Sequence, residues 1–453
     1  MTLSELAAPL GGHLAGGDAT FGAISTDTRR LAPGELFVAL VGPSFDGHDF
    51  VGQAVVHGAV AALVSREVDV AMPRLVVPDT RLALGALGAR WRGASRARVV
   101  AVTGSNGKTT LKEMIAAILR RRGRVLATAG NLNNDIGVPL TLARLQEEDY
   151  AVVEMGANHV GEIRYLSGLA RPDVAVLNNA GRAHLEGFGS LENIARGKAE
   201  IVTGLADDGV FVYHADSSWV PLWRELAAGR RCLSFGLRAD ADVTSPGGSA
   251  LRWDDAGFHQ HFTVRAAGTA AEVELALAGG HNRLNALAAT AAALAVGATL
   301  EDCCAGLAAI RPVAGRLAAR RRADGGWLID DSYNANPESV AAAIAVLAAA
   351  PGSGVLVLGD LAELGADAPA LHASLGEQAR VAGIGALHTV GTLSAAASSA
   401  FGAGAQHHAS QGALVGALRR ALRPEDAVLV KGSRSARMER IVEALAGEER
   451  ASC

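Results

Sequence analysis

Through the middle of the chain, short runs of consecutive apolar residues dominate over alternating ones. Val99 to Val102, Ala151 to Glu154, Val174 to Leu177 and Val210 to Tyr213 are runs of this kind, spaced far enough apart for a helix to lie between them. Continuous apolar strands belong to a parallel sheet covered on both faces, so this region predicts an α/β unit. A second series with the same rhythm begins after Pro312, at Trp327 to Ile329, Val355 to Leu358, Leu387 to Val390 and Ala427 to Val430. The first hundred residues carry a weaker version, Leu36 to Leu40, Val60 to Val64 and Leu75 to Val77, between Ala-rich helical stretches and Gly/Pro turns. Polar/apolar alternation in FHQHFTV (258–264) and EVELAL (272–277) predicts antiparallel strands decorating the middle unit. The Ala-rich run 286–297 falls short of the roughly 20 residues of a spanning helix and reads as a packed one.

The length of 453 residues is about three domains' worth at roughly 150 residues each. Three α/β units are therefore expected, at 1–97, 98–313 and 314–453. Lys and Arg number 42 against 46 Asp and Glu, a net charge of −4 that supplies no global field for nucleic acid. The four cysteines, Cys232, Cys303, Cys304 and Cys453, match neither a disulfide framework nor a Cys-x-x-Cys site, so reduced thiols are expected. No Lys or Arg precedes Arg29, and Pro9, Gly11 and Gly12 interrupt the early apolar stretch, which predicts a cytoplasmic protein without a secretory leader. The arginines at 90–98 and 320–322 read as solvated faces or linker charges.

The sharpest chemical signal is VVAVTGSNGKTTLKEMIAAILRRRG at 99–123. An apolar strand meets a glycine-containing loop and then a helix whose Leu111, Ile115, Ile118 and Leu119 share one face. Free N–H groups and the positive end of the helix dipole attract phosphate there. In this reading Gly104, Ser105, Asn106, Gly107 and Thr110 form the cradle, Lys108 reaches the β/γ-phosphates and Thr109 faces Mg²⁺. The pattern T-G-x-x-G-K-T departs from G-x-x-x-x-G-K-[ST], and a purely structural turn is the alternative. Glu154 and His184 lie at or just beyond later strand ends, where open α/β sheets hold ligands, and Lys198 on the next helix, although each alone also fits a solvated or structural side chain. DDSYNANPES (330–339) fits a ribose or amine site equally as well as a capped turn.

Taken in order, STDTRRLAPGELFVALVGPSFDGHDF (25–50), TGSNGKTT (103–110), NLNNDIGVPLT (131–141), EMGANHVGEI (154–163), NNAGRAHLEGFGS (178–190), GKAEI (197–201), GGHNRLNALAA (279–289), GRL (315–317), DDSYNANPES (330–339), LGDLAELG (358–365) and KGSR (431–434) resemble the Mur ligase family. These are ATP-dependent amide-forming enzymes of bacterial cell-wall synthesis. The resemblance implies a central P-loop ATPase domain built on a parallel sheet, flanked by an N-terminal domain for the UDP-linked substrate and a C-terminal Rossmann-like domain for the amine. It implies ATP and Mg²⁺ as cofactors, and UDP-MurNAc-tripeptide and D-alanyl-D-alanine as the molecules joined by a monomeric enzyme. By motif, Thr109 and Glu154 would hold one Mg²⁺, and His184 with a carbamylated Lys198 a second. Asn282 would lie by the adenine, Arg316 and Asp331 by phosphate and ribose, Asn334 and Asn336 near the amine, and Ser25, Thr26 and Arg29 by the uridine nucleotide. Tripeptide-forming and folylpolyglutamate-type ligases are the nearest alternatives within the class, and a non-ligating P-loop switch the alternative outside it.

Overall fold

The computed structural model describes residues 1–255 and 257–446. Cys453 and the last seven residues of the expected third unit lie outside the described residues. The apolar runs become strands of three separate sheets.

The first sheet has five strands, in the order His13–Ala15, Arg74–Val76, Ala61–Val64, Leu36–Val38 and Ile24–Ser25. All pairings are parallel except that of the edge strand His13–Ala15. The chain leaves this sheet along the helix Thr80–Ala94, whose N-cap carboxylate, Asp79, accepts from the backbone N–H groups of Arg81 and Leu82. Leu84 and Leu87 of this helix are buried in the first core, while its other side packs on Gly137–Leu142 and Glu162–Ala170 of the middle unit.

The middle sheet has ten strands. Its parallel part runs Val125–Ala127, Tyr150–Glu154, Arg98–Thr103, Val174–Leu177, Val210–His214, Arg231–Gly236 and Val243–Thr244. Arg98–Thr103 comes first in sequence but sits inside the sheet. The chain builds outward on one side of it and then on the other, which opens a crevice at the carboxyl ends of these strands. Helix Lys108–Leu119 starts in that crevice and buries Leu111, Met114, Ile115, Ile118 and Leu119, each contributing roughly 1.5–3 kcal/mol of apolar transfer. The Ala-rich run forms helix Gly280–Ala295, whose small side chains allow it to lie close along Lys108–Leu119.

The alternating segments form the antiparallel strands Ala250–Asp254, Gly257–Ala266 and Thr269–Leu275. They also reach the third unit, because Trp253 packs edge-on against Trp327, ring centroids 5.1 Å apart, and Phe258 is buried in that unit's core. The third sheet has six strands, in the order Ala318–Arg321, Trp327–Asp331, Ala427–Lys431, Gly354–Gly359, Ala386–Val390 and Ala405–His408, with only the first antiparallel. Arg322 departs from the expectation of a solvated arginine run. Its buried guanidinium pairs with Asp324 and donates to the carbonyls of Arg423 and Asp426. Arg92 likewise ties the first unit to the middle one, through the carbonyls of Ala170 and Arg171 and the carboxylate of Asp173. No helix among the described residues is long and apolar enough to cross a membrane.

Candidate active site

A cleft of about 1260 Å³ opens where the three units meet. The loop after Arg98–Thr103 forms its floor. Gly107 has φ +77°, and a Cβ there would sit 2.7 Å from Oδ1 of Asn285, so both backbone and neighbour require glycine. Lys108 Nζ folds back onto its own loop and donates to the carbonyls of Gly104 (2.7 Å) and Ser105 (3.3 Å). Desolvation lowers its pKa, and the carboxylate of Glu154 opposes that shift.

A ladder of amides holds this loop. Asn179 Oδ1 accepts from the Asn106 N–H (2.8 Å), and the side-chain amides of Asn178 and Asn179 both donate to the Asn106 carbonyl at 3.0 Å. Asn178 also donates to Asn285 Oδ1 (2.8 Å), and Asn285 donates to Asn282 Oδ1 (3.2 Å). Asn282 is thus fixed at the start of its helix, facing the loop. Beside it burial, reinforced by the charge of Lys431, pulls the imidazole of His281 down to about 4, so the ring is neutral.

Glu154 ends its strand almost fully buried. Oε1 accepts from Asn133 Nδ2 at 2.8 Å, while Oε2 is buried without a hydrogen-bond partner among the described residues. An unpaired carboxylate oxygen in this cleft is costly unless a cation or donor occupies the space before it. Together with the hydroxyl of Thr109 at the helix start, this hard oxygen fits a Mg²⁺ ion. His184 also lines the cleft, with Nδ1 2.6 Å from Oε2 of Glu363.

Lys198 lies behind the cleft lining, fully buried on helix Leu191–Ala199. Among the described residues its Nζ finds only the Ala157 carbonyl, at 3.4 Å, and it lies 5.2 Å from the centre of the Phe188 ring. Desolvation, and next the charge of Lys108, push its pKa well below the ordinary lysine value.

The third unit closes the cleft from above. Asp331 and Lys431 end adjacent strands and pair at 2.6 Å, with Lys431 also donating to the Asn334 carbonyl at 3.0 Å. Burial pushes the Asp331 carboxyl up, against the pull of Lys431. Arg316 lies over the ring of Tyr333 at 4.3 Å. Asn336 Nδ2 donates to Asn106 Oδ1 at 2.7 Å, and Arg182 N–H donates to Glu338 Oε1 at 3.1 Å, so this unit touches the loop that carries Asn106 directly.

Ser25, Thr26 and Arg29 are not brought to the cleft. Ser25 lies on an edge strand of the first sheet, and the exposed Arg29 makes a bidentate pair with Asp27 at 2.8 and 2.7 Å. Asn133, Asn178, Asn179, Asn285, Glu363 and Lys431 are residues that sequence reasoning did not single out. Asn178, Asn179 and Glu363 lie in polar segments that follow apolar strands, whereas Asn285 sits within helix Gly280–Ala295 and Lys431 ends strand Ala427–Lys431.

Three family models match this chain in succession: "Mur ligase family, catalytic domain" over residues 20–117, "Mur ligase middle domain" over 102–293 and "Mur ligase, glutamate ligase domain" over 315–434. The UDP-N-acetylmuramoyl-tripeptide--D-alanyl-D-alanine ligase of Escherichia coli (strain K12) is 48% identical over 457 residues, covering 100% of this chain and 99% of the relative. The chain belongs to the Mur ligase family. Solved Mur ligases have the same three-unit architecture. The UDP-N-acetylmuramoylalanyl-D-glutamyl-2,6-diaminopimelate--D-alanyl-D-alanyl ligase of Acinetobacter baumannii superposes with a TM-score of 0.86 at 36% identity, covering 98% of this chain and 97% of that one. The MurF ligase of Thermotoga maritima in complex with ADP superposes at 0.85 and 30% identity, covering 94% and 97%. The ladder of amides and the strand ends carrying Asp331 and Lys431 line one and the same cleft.

Proposed function

We propose that this Mur ligase uses ATP to join D-alanyl-D-alanine to UDP-N-acetylmuramoyl-tripeptide, releasing ADP and phosphate and giving the UDP-linked pentapeptide of peptidoglycan synthesis. The observation that carries the substrate assignment is the full-length match to the Escherichia coli relative of that name. The ADP complex of the Thermotoga relative supports ATP as the phosphoryl donor. We place the domain boundaries at 97/98 and 313/314, a reading supported by the middle sheet opening at Arg98 and the third at Ala318. All three units of one chain line the cleft, which supports action as a monomer, and UDP-linked substrates fit a cytoplasmic enzyme.

A carboxylate is a poor electrophile, so the tripeptide carboxylate first attacks the γ-phosphorus of ATP and becomes an acyl phosphate. Lys108 leaves its loop carbonyls for the β/γ oxygens and stabilises the charge that develops there. The N–H groups of the first helical turn hold the phosphates, with Thr109, Thr110 and the loop 104–107 around them. Asn282 orients the adenine, Arg316 faces the phosphates and Asp331, held by Lys431, accepts from the ribose. Thr109 and Glu154 would hold one Mg²⁺ and His184 with a carbamylated Lys198 a second, which would supply positive charge against the phosphoryl oxygens. Asn334 and Asn336 position the dipeptide amine, which displaces phosphate from the acyl carbon. The Asn336–Asn106 contact closes the cleft over the acyl phosphate and excludes the water that would hydrolyse it. Ser25, Thr26 and Arg29 are assigned to the distant uridine end of the substrate.

The test is ADP release by the purified chain. UDP-MurNAc-tripeptide with D-alanyl-D-alanine should give turnover that stops when either is omitted. Turnover without them favours a non-ligating ATPase. Turnover with UDP-MurNAc-dipeptide and a free diamino acid favours the tripeptide-forming reaction, and turnover with a folate and glutamate the folylpolyglutamate type.

A further inference from the structure

Among the described residues, the cationic side chains by which the third unit lines the cleft are Arg316, Lys431 and Arg434. Lys431 is paired with Asp331 at 2.6 Å, and Arg316 is assigned to the phosphates. Arg434 is left, and no role given above uses it. Its side chain is 66% exposed, and its one ion-pair partner among the described residues, Glu439 Oε1, stands 3.7 Å from Nη1. At that exposure and spacing the pair contributes little, so the guanidinium is available.

The backbone that carries Arg434 is fixed. Ser433 donates twice to the Asp360 carbonyl, through its N–H at 3.0 Å and through Oγ at 2.7 Å, and the short turn Arg434–Ala436 follows. The Arg434 N–H donates to Asn334 Oδ1 at 3.2 Å, which ties this turn to a residue assigned above to the incoming amine. Arg316 and Arg434 both lie against the ring of Tyr333, with guanidinium carbons 4.3 and 5.5 Å from its centre. One aromatic ring therefore sets both cations in the same corner of the cleft.

A dipeptide carries its carboxylate further from its amine than a single amino acid does. In D-alanyl-D-alanine two residues separate the attacking nitrogen from the terminal carboxylate, a span of at most about 7 Å. An amine positioned at Asn334 and Asn336 thus leaves that carboxylate within the same corner, where desolvating it without a cation is costly. A guanidinium offers two parallel N–H donors that match a carboxylate. The geometry points to Arg434 as the residue that binds the C-terminal carboxylate of the dipeptide, the contact by which this chain reads the length and terminal charge of its amine substrate. This inference rests on the ligase reading above and adds to it a specificity-determining residue.

The experiment measures kcat and KM for D-alanyl-D-alanine and for D-alanyl-D-alaninamide, which lacks the terminal charge, with ATP and UDP-MurNAc-tripeptide saturating. The wild-type enzyme should favour the acid by at least about 30-fold in kcat/KM. Arg434→Met should raise KM for the acid, keep the rate with the amide and bring the ratio to within about 3-fold of one, with KM for ATP and for the tripeptide unchanged. Arg434→Lys, which keeps the charge but loses the two-pronged donor, should fall between them. Arg440→Met, which removes an exposed charge outside the cleft, should keep the wild-type ratio. Equal use of acid and amide by the wild type overturns the inference and leaves the ligase reading intact. So does an unchanged ratio in Arg434→Met, a rise in its KM for ATP as large as that for the dipeptide, or the same loss in Arg440→Met. No wild-type turnover with D-alanyl-D-alanine overturns the ligase reading itself. Each variant is melted alongside, and Arg434→Gln is held to the same ratio if Arg434→Met does not fold.

Discussion

Nδ1 of His184 and Oε2 of Glu363 lie 2.6 Å apart across the closed cleft, and both residues have left-handed backbone, φ 57° and 60°. For a side chain with a Cβ that conformation costs roughly 1–2 kcal/mol. The strain is held by its surroundings. The buried ring of His372 takes the Leu361 N–H on Nε2 at 3.0 Å and bonds the Ala368 carbonyl through Nδ1 at 2.7 Å, which locks the loop carrying Glu363.

Replacing Glu363 separates these two effects. Glu363→Gly should melt higher than Glu363→Ala, by about 1 kcal/mol, because only glycine accepts φ near 60° without cost. Both should lower kcat by roughly 10- to 100-fold, since His184 loses the group that orients it. Thermal melts with steady-state kinetics check this; equal melting temperatures would argue against strain at position 363.

Lys108→Ala should cost about 10²–10³-fold in kcat, because no neutral side chain replaces a charge aimed at the β/γ oxygens. Its present partners are carbonyls of its own loop, so the folded protein does not depend on it for an ion pair. Phosphate release at saturating substrates with an unchanged melt is the expected pattern. Activity within a few-fold of wild type would remove Lys108 from the mechanism.

The core of the fold was legible because buried parallel strands are written as uninterrupted apolar runs: Val99 to Val102 lies within Arg98–Thr103, and Ala427 to Val430 within Ala427–Lys431. Edge elements were not. Ile24–Ser25, Val41–Gly42 and Phe45–Asp46 are two residues each, too short for any periodicity to register. Ala405–His408 reads as polar, yet His408 is buried against His388. In the site, Glu154 and Lys108 followed from strand–loop–helix logic. The partners that fix them, Asn133, Asn178 and Asn285, did not, because an amide's role depends on which distant groups the topology brings within 3 Å of it. Arg322 shows the same limit: an arginine in a charged run is buried only because the carbonyls of Arg423 and Asp426 return to meet it.

Stability should fall on mild acidification through the third unit. His388 and His408 stack with centroids 5.2 Å apart and join Nδ1 to Nε2 at 3.0 Å. Burial, and then the neighbouring His408, pull His388 from 6.5 down to about 4. His408 is lowered by burial and by His407, which itself bonds Thr389. Between pH 6.5 and 4 the unfolded chain therefore binds a proton at position 388 that the folded chain refuses, so stability is intact above this window and is lost as pH drops through it. The slope is at most about 1.4 kcal/mol per pH unit for each such group. His388→Asn should melt lower at neutral pH but show a shallower loss between pH 7 and 5. An unchanged slope would assign the acid sensitivity elsewhere.

Lys198 should carry a carbamate. Its amine is fully buried, has no carboxylate partner among the described residues and is pushed toward the neutral form by desolvation and by Lys108. A neutral amine is the species that adds to CO₂: nitrogen bonds to carbon, a proton leaves to solvent, and a cation that a Mg²⁺ ion would repel becomes a carboxylate that it accepts. Lys198→Arg cannot make this change and should be inactive. Lys198→Ala should be nearly inactive and partly rescued by short-chain carboxylates, which place an oxygen where the carbamate would be. Protein equilibrated with ¹³C-bicarbonate should show a carbamate carbon resonance that is absent from both variants, a readout independent of turnover. Full activity in protein whose Lys198 remains a bare amine, with no such resonance, would overturn the assignment and leave His184 to hold the second Mg²⁺ without it.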